Sequence, residues 1–398
     1  MNHLAHPVVT ESKPAGWRGL REDASLSPFL RKDVASYGPA WLPPLLVLGA
    51  IATVGYADHR VVSISLIYLY IFPLTVGAIF LRKEMSYGLI GLCIFFHYFD
   101  SPRHVGLGLR LFHDISALLC FTFVVCTIQQ YIEQREILAK TIRRQRDDLL
   151  KDVGLAAQVQ RLFLPLGKPA IAGLEISGMM EPARGVGGDY YNYIPINAHT
   201  SQIVIADVSG KGVPAALLMS ATAAAMQLEA SQDRNMLEQV RRLNTGIHSV
   251  SGGEHYVTLL LAEIDTQKRT LRYVNCGHNP ALLFQAQTGT VTRLNSCCAP
   301  IGMFQEVLCE VTSVDLTAGD VLVFYTDGVT EAENQLGEEF GSERLSALLG
   351  RNASLSAEGL MKNIFSSTAE FCREVGFNDD VTILVVKCNF DGSPVIKP

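Results

Sequence analysis

The chain has 398 residues, 48% of them hydrophobic and 18% charged, with a net charge of −6. That length allows a membrane domain beside one large folded domain, and an acidic balance with no basic patch interleaved with aromatics argues against nucleic-acid binding. The nine cysteines are scattered, and the adjacent Cys297-Cys298 is not a zinc spacing, so reduced thiols are expected rather than a disulfide framework.

Residues 1–33 read as an N-terminal tail without a cleavable signal pattern. Residues 34–57, 61–81 and 115–132 contain no Asp, Glu, Lys or Arg, and each approaches or exceeds the roughly 20 apolar residues that cross a bilayer. A shorter run at 85–99 needs residues beyond Asp100 to span. Four transmembrane helices are therefore expected within 34–132, an all-α membrane domain. Lys13, Arg18, Arg21, Arg31 and Lys32 precede the first span, Arg82 and Lys83 separate the second from the third, and Arg135, Lys140, Arg143, Arg144 and Arg146 follow the fourth. The opposite loops hold Arg60, then Arg103 and Arg110. Basic residues are retained on the cytoplasmic side, so both termini are expected there. Asp100, His104, His113 and Asp114 fall in or beside the third connection, and a short polar loop is the plainer reading than a proton or metal sensor.

Residues 133–164 read as a connecting helix, charged and free of internal Pro and Gly except Gly154. Ile142, Leu149, Ala156 and Phe163 recur at a seven-residue step, which suits packing on a partner helix in a parallel homodimer. The companion positions Gln145 and Asp152 are polar, and a solvated connecting helix is the alternative. Beyond it, residues 165–390 alternate short β-rich runs with turns. Strands are expected at 174–180, 190–196, 203–207, 257–264, 271–275, 281–284, 291–294, 310–316, 321–325 and 381–387, and helices at 214–230, 236–249, 342–349 and 356–374. That pattern gives an α+β domain, a sandwich of two antiparallel sheets flanked by helices, followed by a short tail at 391–398.

Two pairs of acidic strings carry the chemistry. The first is Gly187-Gly188-Asp189-Tyr190-Tyr191 with Ala206-Asp207-Val208-Ser209-Gly210-Lys211-Gly212; the second is Tyr325-Thr326-Asp327-Gly328 with Asn378-Asp379-Asp380-Val381-Thr382. Each sits where an apolar run meets a turn, a place from which a rigid scaffold presents a carboxylate. Carboxylates converging from several strands suit hard cations such as Mg²⁺ and Mn²⁺. A single Asp-Gly is ordinarily a turn, but here the strings form an ordered set.

With Pro182-Ala183-Arg184, Pro214-Ala215-Ala216-Leu217-Leu218-Met219 and Asn275-Cys276-Gly277-His278-Asn279-Pro280, that set resembles the PPM-type (PP2C-like) metal-dependent protein serine/threonine phosphatases. It is most similar to their bacterial branch named for sporulation protein E and the sigma-factor regulator phosphatases, over about residues 148–387. The resemblance implies that Asp189, Asp207, Asp327 and Asp379 are the catalytic metal ligands, with the Val208 carbonyl as a further oxygen. Asp379 is favoured over Asp380, although the adjacent pair leaves that choice open. It also implies two Mn²⁺ or Mg²⁺ ions sharing a water that attacks phosphorus in line. The family pattern departs at Asn192 and Gly185, where acidic residues are common, which implies an altered metal surrounding rather than loss of activity.

By the same resemblance the substrate is phosphoserine or phosphothreonine on a partner protein, a STAS-type anti-sigma-factor antagonist. The setting is the bacterial inner membrane with a cytoplasmic catalytic domain regulated through the membrane domain and linker helix. A catalytically inactive receptor of the same fold is the alternative. A diguanylate cyclase, suggested by Gly187-Gly188-Asp189, has no use for the later strings. Lys211 in its glycine turn reads as solvated, and His278 as a turn residue that ties down backbone rather than a general acid.

Overall fold

The computed structural model describes residues 42–60, 67–100, 107–165, 167, 171–230, 232 and 235–390. The expected tail at 1–33, its basic residues, the start of the first span, Arg103 and His104 lie outside them. The chain divides into two compact units at Leu149/Leu150.

Among the described residues the first unit is helical: α1 (Leu42–Arg60), a 3-10 turn (Ile67–Tyr70) running into α2 (Ile71–Phe80), α3 (Lys83–Asp100) and the beginning of α4 (Leu107–Arg161). Its core gathers Val47, Ile51, Leu74, Cys93, Phe121 and Val125, while large apolar side chains such as Leu46, Phe72, Leu119 and Phe123 face outward. The four helices fall where four spans are expected. Among the described residues, α4 from Leu111 onward is long and apolar enough to cross a membrane, whereas α1 to α3 do not reach that measure. Asp114 belongs to α4 rather than to a polar loop, and buried His97 lies between two carboxylates, Nδ1 at 3.0 Å from Asp58 and Nε2 at 3.7 Å from Asp114.

Helix α4 absorbs both the expected fourth span and most of the connecting helix without a break. Ile142, Leu149, Leu155 and Val159 are exposed along it. Past its end, Phe163 packs against the second unit's core, so it leaves the seven-residue stripe.

The second unit holds ten antiparallel strands in two five-stranded sheets, and every expected strand is found. One sheet has the order β1 (Leu174–Glu181), β10 (Val381–Cys388), β9 (Val321–Tyr325), β6 (Ala281–Gln285), β7 (Thr290–Leu294); the other runs β2 (Tyr190–Pro195), β3 (Thr200–Val208), β4 (Val257–Asp265), β5 (Thr270–Cys276), β8 (Thr312–Asp315). Alternate side chains such as Ile176, Leu322 and Leu384 from one sheet and Ile203, Ile205 and Leu260 from the other meet in a shared core, as the two-residue alternation of strand side chains places them.

The outer faces are closed by helix pairs. Helices α5 (Val213–Ala230) and α6 (Met236–Ser251) cover the second sheet through Met219, Met226, Val240 and Leu243. Helices α8 (Gly341–Asn352) and α9 (Ala357–Phe371) cover the first through Leu345, Leu349, Leu360 and Ile364. Helix α5 is also apolar enough to cross a membrane, but it is a core helix of this sandwich. Local sequence sets the ends: Asn235 caps α6 by accepting from Glu238 N–H, Ser356 caps α9 by accepting from Gly359 N–H, each meeting an otherwise unpaired first-turn donor. The expected α-β-β-α sandwich is the observed one. One element has no counterpart in the expectation, the single-turn α7 (Asp327–Thr330) directly after β9.

Candidate metal centre

Antiparallel registers bring the acidic strings together. Tyr190 pairs with Ala206 across β2 and β3, which sets Asp189, just before β2, opposite Asp207 near the end of β3. Tyr325 pairs with Ile383 across β9 and β10, so Thr326 and Asp327 lie beside the start of β10, where Asp379 and Asp380 stand. The first pair comes from one sheet and the second from the other.

Asp189 is buried, and its Oδ2 accepts from Thr326 Oγ1 at 2.7 Å and Thr382 Oγ1 at 2.6 Å. Thr326 directly follows β9 and Thr382 lies in β10, so they fix a carboxylate carried by the opposite sheet. Burial, then the charges of Asp207 and Asp380, push the Asp189 carboxyl well above its ordinary value. Asp207 is raised to about 8, first by burial and then by Asp327, Asp379 and Asp380. Asp327 opens α7, and burial followed by Asp379 raises it too. Like charges held this close in a half-buried pocket resist ionisation, and a bound cation removes that cost.

The adjacent pair divides its work. Asp380 accepts from Ala183 N–H through Oδ1 at 2.8 Å and from Gly188 N–H through Oδ2 at 2.7 Å, so both oxygens are engaged by backbone. Asp379 is more open and meets Lys211 Nζ at 2.5 Å. Lys211 also donates to the Asn378 carbonyl at 3.1 Å, which corrects its reading as merely solvated: in this structure it is a cation held at the carboxylate cluster. The Val208 carbonyl belongs to the same pocket, because a Cβ built on Gly188 would lie 3.1 Å from it and 3.4 Å from Asp207 Oδ1. A side chain at Gly187 would overlap the Asp380 carboxylate, and this accounts for the paired glycines.

The two departures have local explanations. Asn192 turns to its neighbours, donating to the Tyr190 hydroxyl and accepting from Tyr193 N–H. Gly185 has φ of +88°, a left-handed conformation that glycine adopts without strain. His278 is buried, accepts or donates at Nδ1 to Thr258 Oγ1 at 2.8 Å, and is held by its own N–H on Asn275 Oδ1. Its Nε2 is buried without a hydrogen-bond partner among the described residues. Burial lowers it to about 4, so near neutrality it carries no proton to give as a general acid. It ties β4, next to Asp207, to the turn after β5.

Some contributors were not singled out from sequence. Thr326 and Thr382 lay inside the quoted strings without a role. Gln160, near the end of α4, holds Gly187 at both peptide ends, Nε2 donating to its carbonyl at 2.6 Å and Oε1 accepting from its N–H at 3.1 Å. Glu331, just after α7, is raised by partial burial and then by Asp327.

With this geometry in place, the family comparison is decisive. The model of the Stage II sporulation protein E (SpoIIE) family matches residues 197–389. Over those residues, just under half of the chain, it is similar to SpoIIE-family, PP2C-type phosphatase domains. Among its relatives, the phosphoserine phosphatase RsbU of Bacillus subtilis is 27% identical over 62% of the chain and 73% of its own length. The phosphoserine phosphatase RsbP of the same organism is 30% identical over 46% of the chain and 45% of its own length. The chain thus spans most of RsbU but less than half of RsbP. In fold, the second unit is similar to the SiaA-PP2C domain of Pseudomonas aeruginosa, with a TM-score of 0.55 and 24% identity over 61% of this chain and 98% of that one.

Proposed function

We propose that this protein is a metal-dependent protein serine/threonine phosphatase that removes phosphate from a phosphoserine or phosphothreonine of a partner protein. The observation that carries this reading is the gathering of Asp189, Asp207, Asp327 and Asp379 from two sheets into one pocket, where burial and then neighbouring carboxylates raise the proton affinity of Asp189, Asp207 and Asp327. An all-oxygen donor set of this kind fits Mn²⁺ or Mg²⁺. Asp189, Asp207, Asp327, Asp379 and the Val208 carbonyl would hold two such ions. When bound they supply an acidified water and offset charge on the phosphoryl oxygens.

The chain's own residues do the rest. Thr326 and Thr382 orient Asp189, and Asp380 holds the turn that carries Gly187 and Gly188. Lys211 is placed to meet anionic substrate once cations occupy Asp379. The alternative of a silent receptor is disfavoured by the intact carboxylate set.

The substrate proposed is a STAS-type anti-sigma-factor antagonist, in keeping with relatives that are phosphoserine phosphatases. The helical first unit, with apolar side chains facing outward, is proposed to anchor the protein in the bacterial inner membrane. Signals would pass through α4, which reaches Gly187 through Gln160 and offers an apolar stripe for a homodimer. Full-length protein in detergent should hydrolyse para-nitrophenyl phosphate with Mn²⁺, and Asp207→Asn should reduce turnover by about 10²-fold or more. Wild-type turnover in that variant would remove Asp207 from the centre.

A further inference from the structure

Four of the nine cysteines, scattered in sequence, come together in space away from the carboxylates. Cys276 closes β5 and is buried, Cys297 and Cys298 lie on the segment after β7, and Cys309 lies just before β8. Cys276 Sγ is 3.3 Å from Cys298 Sγ and 3.9 Å from Cys309 Sγ. Cys297 Sγ is 3.9 Å from Cys298 Sγ, and the sulfurs of Cys298 and Cys309 lie within bonding reach of each other. Ligand atoms of Cys276, Cys298 and Cys309 all lie within 4.8 Å of one another.

Backbone contacts make this convergence a built feature. Cys276 and Cys298 form a parallel bridge, and the N–H groups of Cys297 and Cys298 both donate to the Asn275 carbonyl, at 2.9 and 3.3 Å. Ser296 Oγ donates to that carbonyl as well, and accepts from Gly277 N–H.

We propose that Cys276, Cys298 and Cys309, with Cys297 as fourth sulfur, form a thiolate site for Zn²⁺ that shares no residue with the carboxylate centre. Thiolates about 2.3 Å from a tetrahedral zinc ion sit about 3.8 Å from one another, close to the spacings Cys276 makes with Cys298 and Cys309. A disulfide between Cys298 and Cys309 uses two sulfurs and leaves Cys276 beside them with sulfur as its polar company. Zinc uses all three, and its charge stabilises deprotonated sulfur at the buried Cys276. Binding releases the thiol protons to solvent. In a domain facing a reducing compartment, clustered cysteines are more often metal ligands than disulfides. Because Cys276 directly precedes Gly277-His278, the ion would brace the turn on which His278 sits.

The test is metal analysis of the full-length protein, purified with a reductant and without chelator. One zinc per chain is expected, and cobalt substitution should give a thiolate-to-cobalt charge-transfer band. Cys276→Ser and Cys309→Ser should lose both signals, whereas Asp207→Asn should keep them, which separates this site from the catalytic reading. Wild-type protein with no zinc and no cobalt–thiolate band overturns the proposal. So does protein trapped with a thiol-blocking reagent at lysis that shows a Cys298–Cys309 disulfide by mass.

Discussion

At the scale of single residues, the carboxylates are the most costly groups in the domain, and Asp207 shows why. In the unfolded chain it would titrate at its ordinary 3.8, whereas the folded pocket raises it to about 8. Between those values the folded state binds more protons than the unfolded one, so stability falls as pH rises through that window. Asp189, Asp327 and Asp380 are shifted in the same direction and steepen the slope. The thermal midpoint of chelator-treated protein should therefore decrease on going from about pH 4 to about pH 8. Mn²⁺ should remove most of that decrease, because the cation replaces the proton; an identical slope with and without Mn²⁺ would mean that the carboxylates are not its ligands. Lys211 supplies part of the same compensation through its 2.5 Å pair with Asp379.

At the scale of elements, the centre depends on strand ends that stop at a fixed place. Gly328, second residue of α7, permits the tightest approach: a Cβ there would overlap the Asp380 carbonyl. Gly328→Ala must push α7 away from the start of β10, carrying Asp327 with it. The expected result is at least a tenfold higher Mn²⁺ concentration for half-maximal activity, together with a lower thermal midpoint by about 1–3 kcal/mol of stability. Unchanged metal dependence would show that the Asp327 carboxylate tolerates the shift. The strands themselves were legible, because short β-branched and aromatic runs such as Val321-Leu322-Val323-Phe324-Tyr325, bounded by turn residues, have few other solutions. The turn α7 was not, since Thr326-Asp327-Gly328-Val329 reads as a plain turn and becomes helical only through its packing on β10 and α8.

At the scale of the whole molecule, α4 links two units with different surfaces. Ile142 and Leu149 are exposed along it, a costly arrangement in water for a single copy. Replacing both with Glu should convert a detergent-solubilised dimer to monomer in light scattering while leaving the Mn²⁺-dependent basal rate intact; a dimer that survives would place its contact elsewhere. The four aspartates of the pocket were readable because each lies in a short string of distinctive neighbours. Gln160 was not: it sits on a charged helix among Gln158, Arg161 and other polar residues, and its partner Gly187 is settled by tertiary packing. The cysteines misled for the same reason, since the 276, 297–298 and 309 spacings match no metal motif until β5 and its following loops are folded. Asp58, His97 and Asp114 were equally hidden, each on a different helix.

The grip of Asp380 on Ala183 and Gly188 joins the beginning of the sandwich to its last strand. While the ribosome is still making the chain, the segments of β1 to β9 can all have been made and β1 still has no strand to pair with, while the pocket lacks one wall, two of its acids and the latch on its glycine turn. The newborn polypeptide is consequently inert toward phosphoproteins until its final strand has emerged.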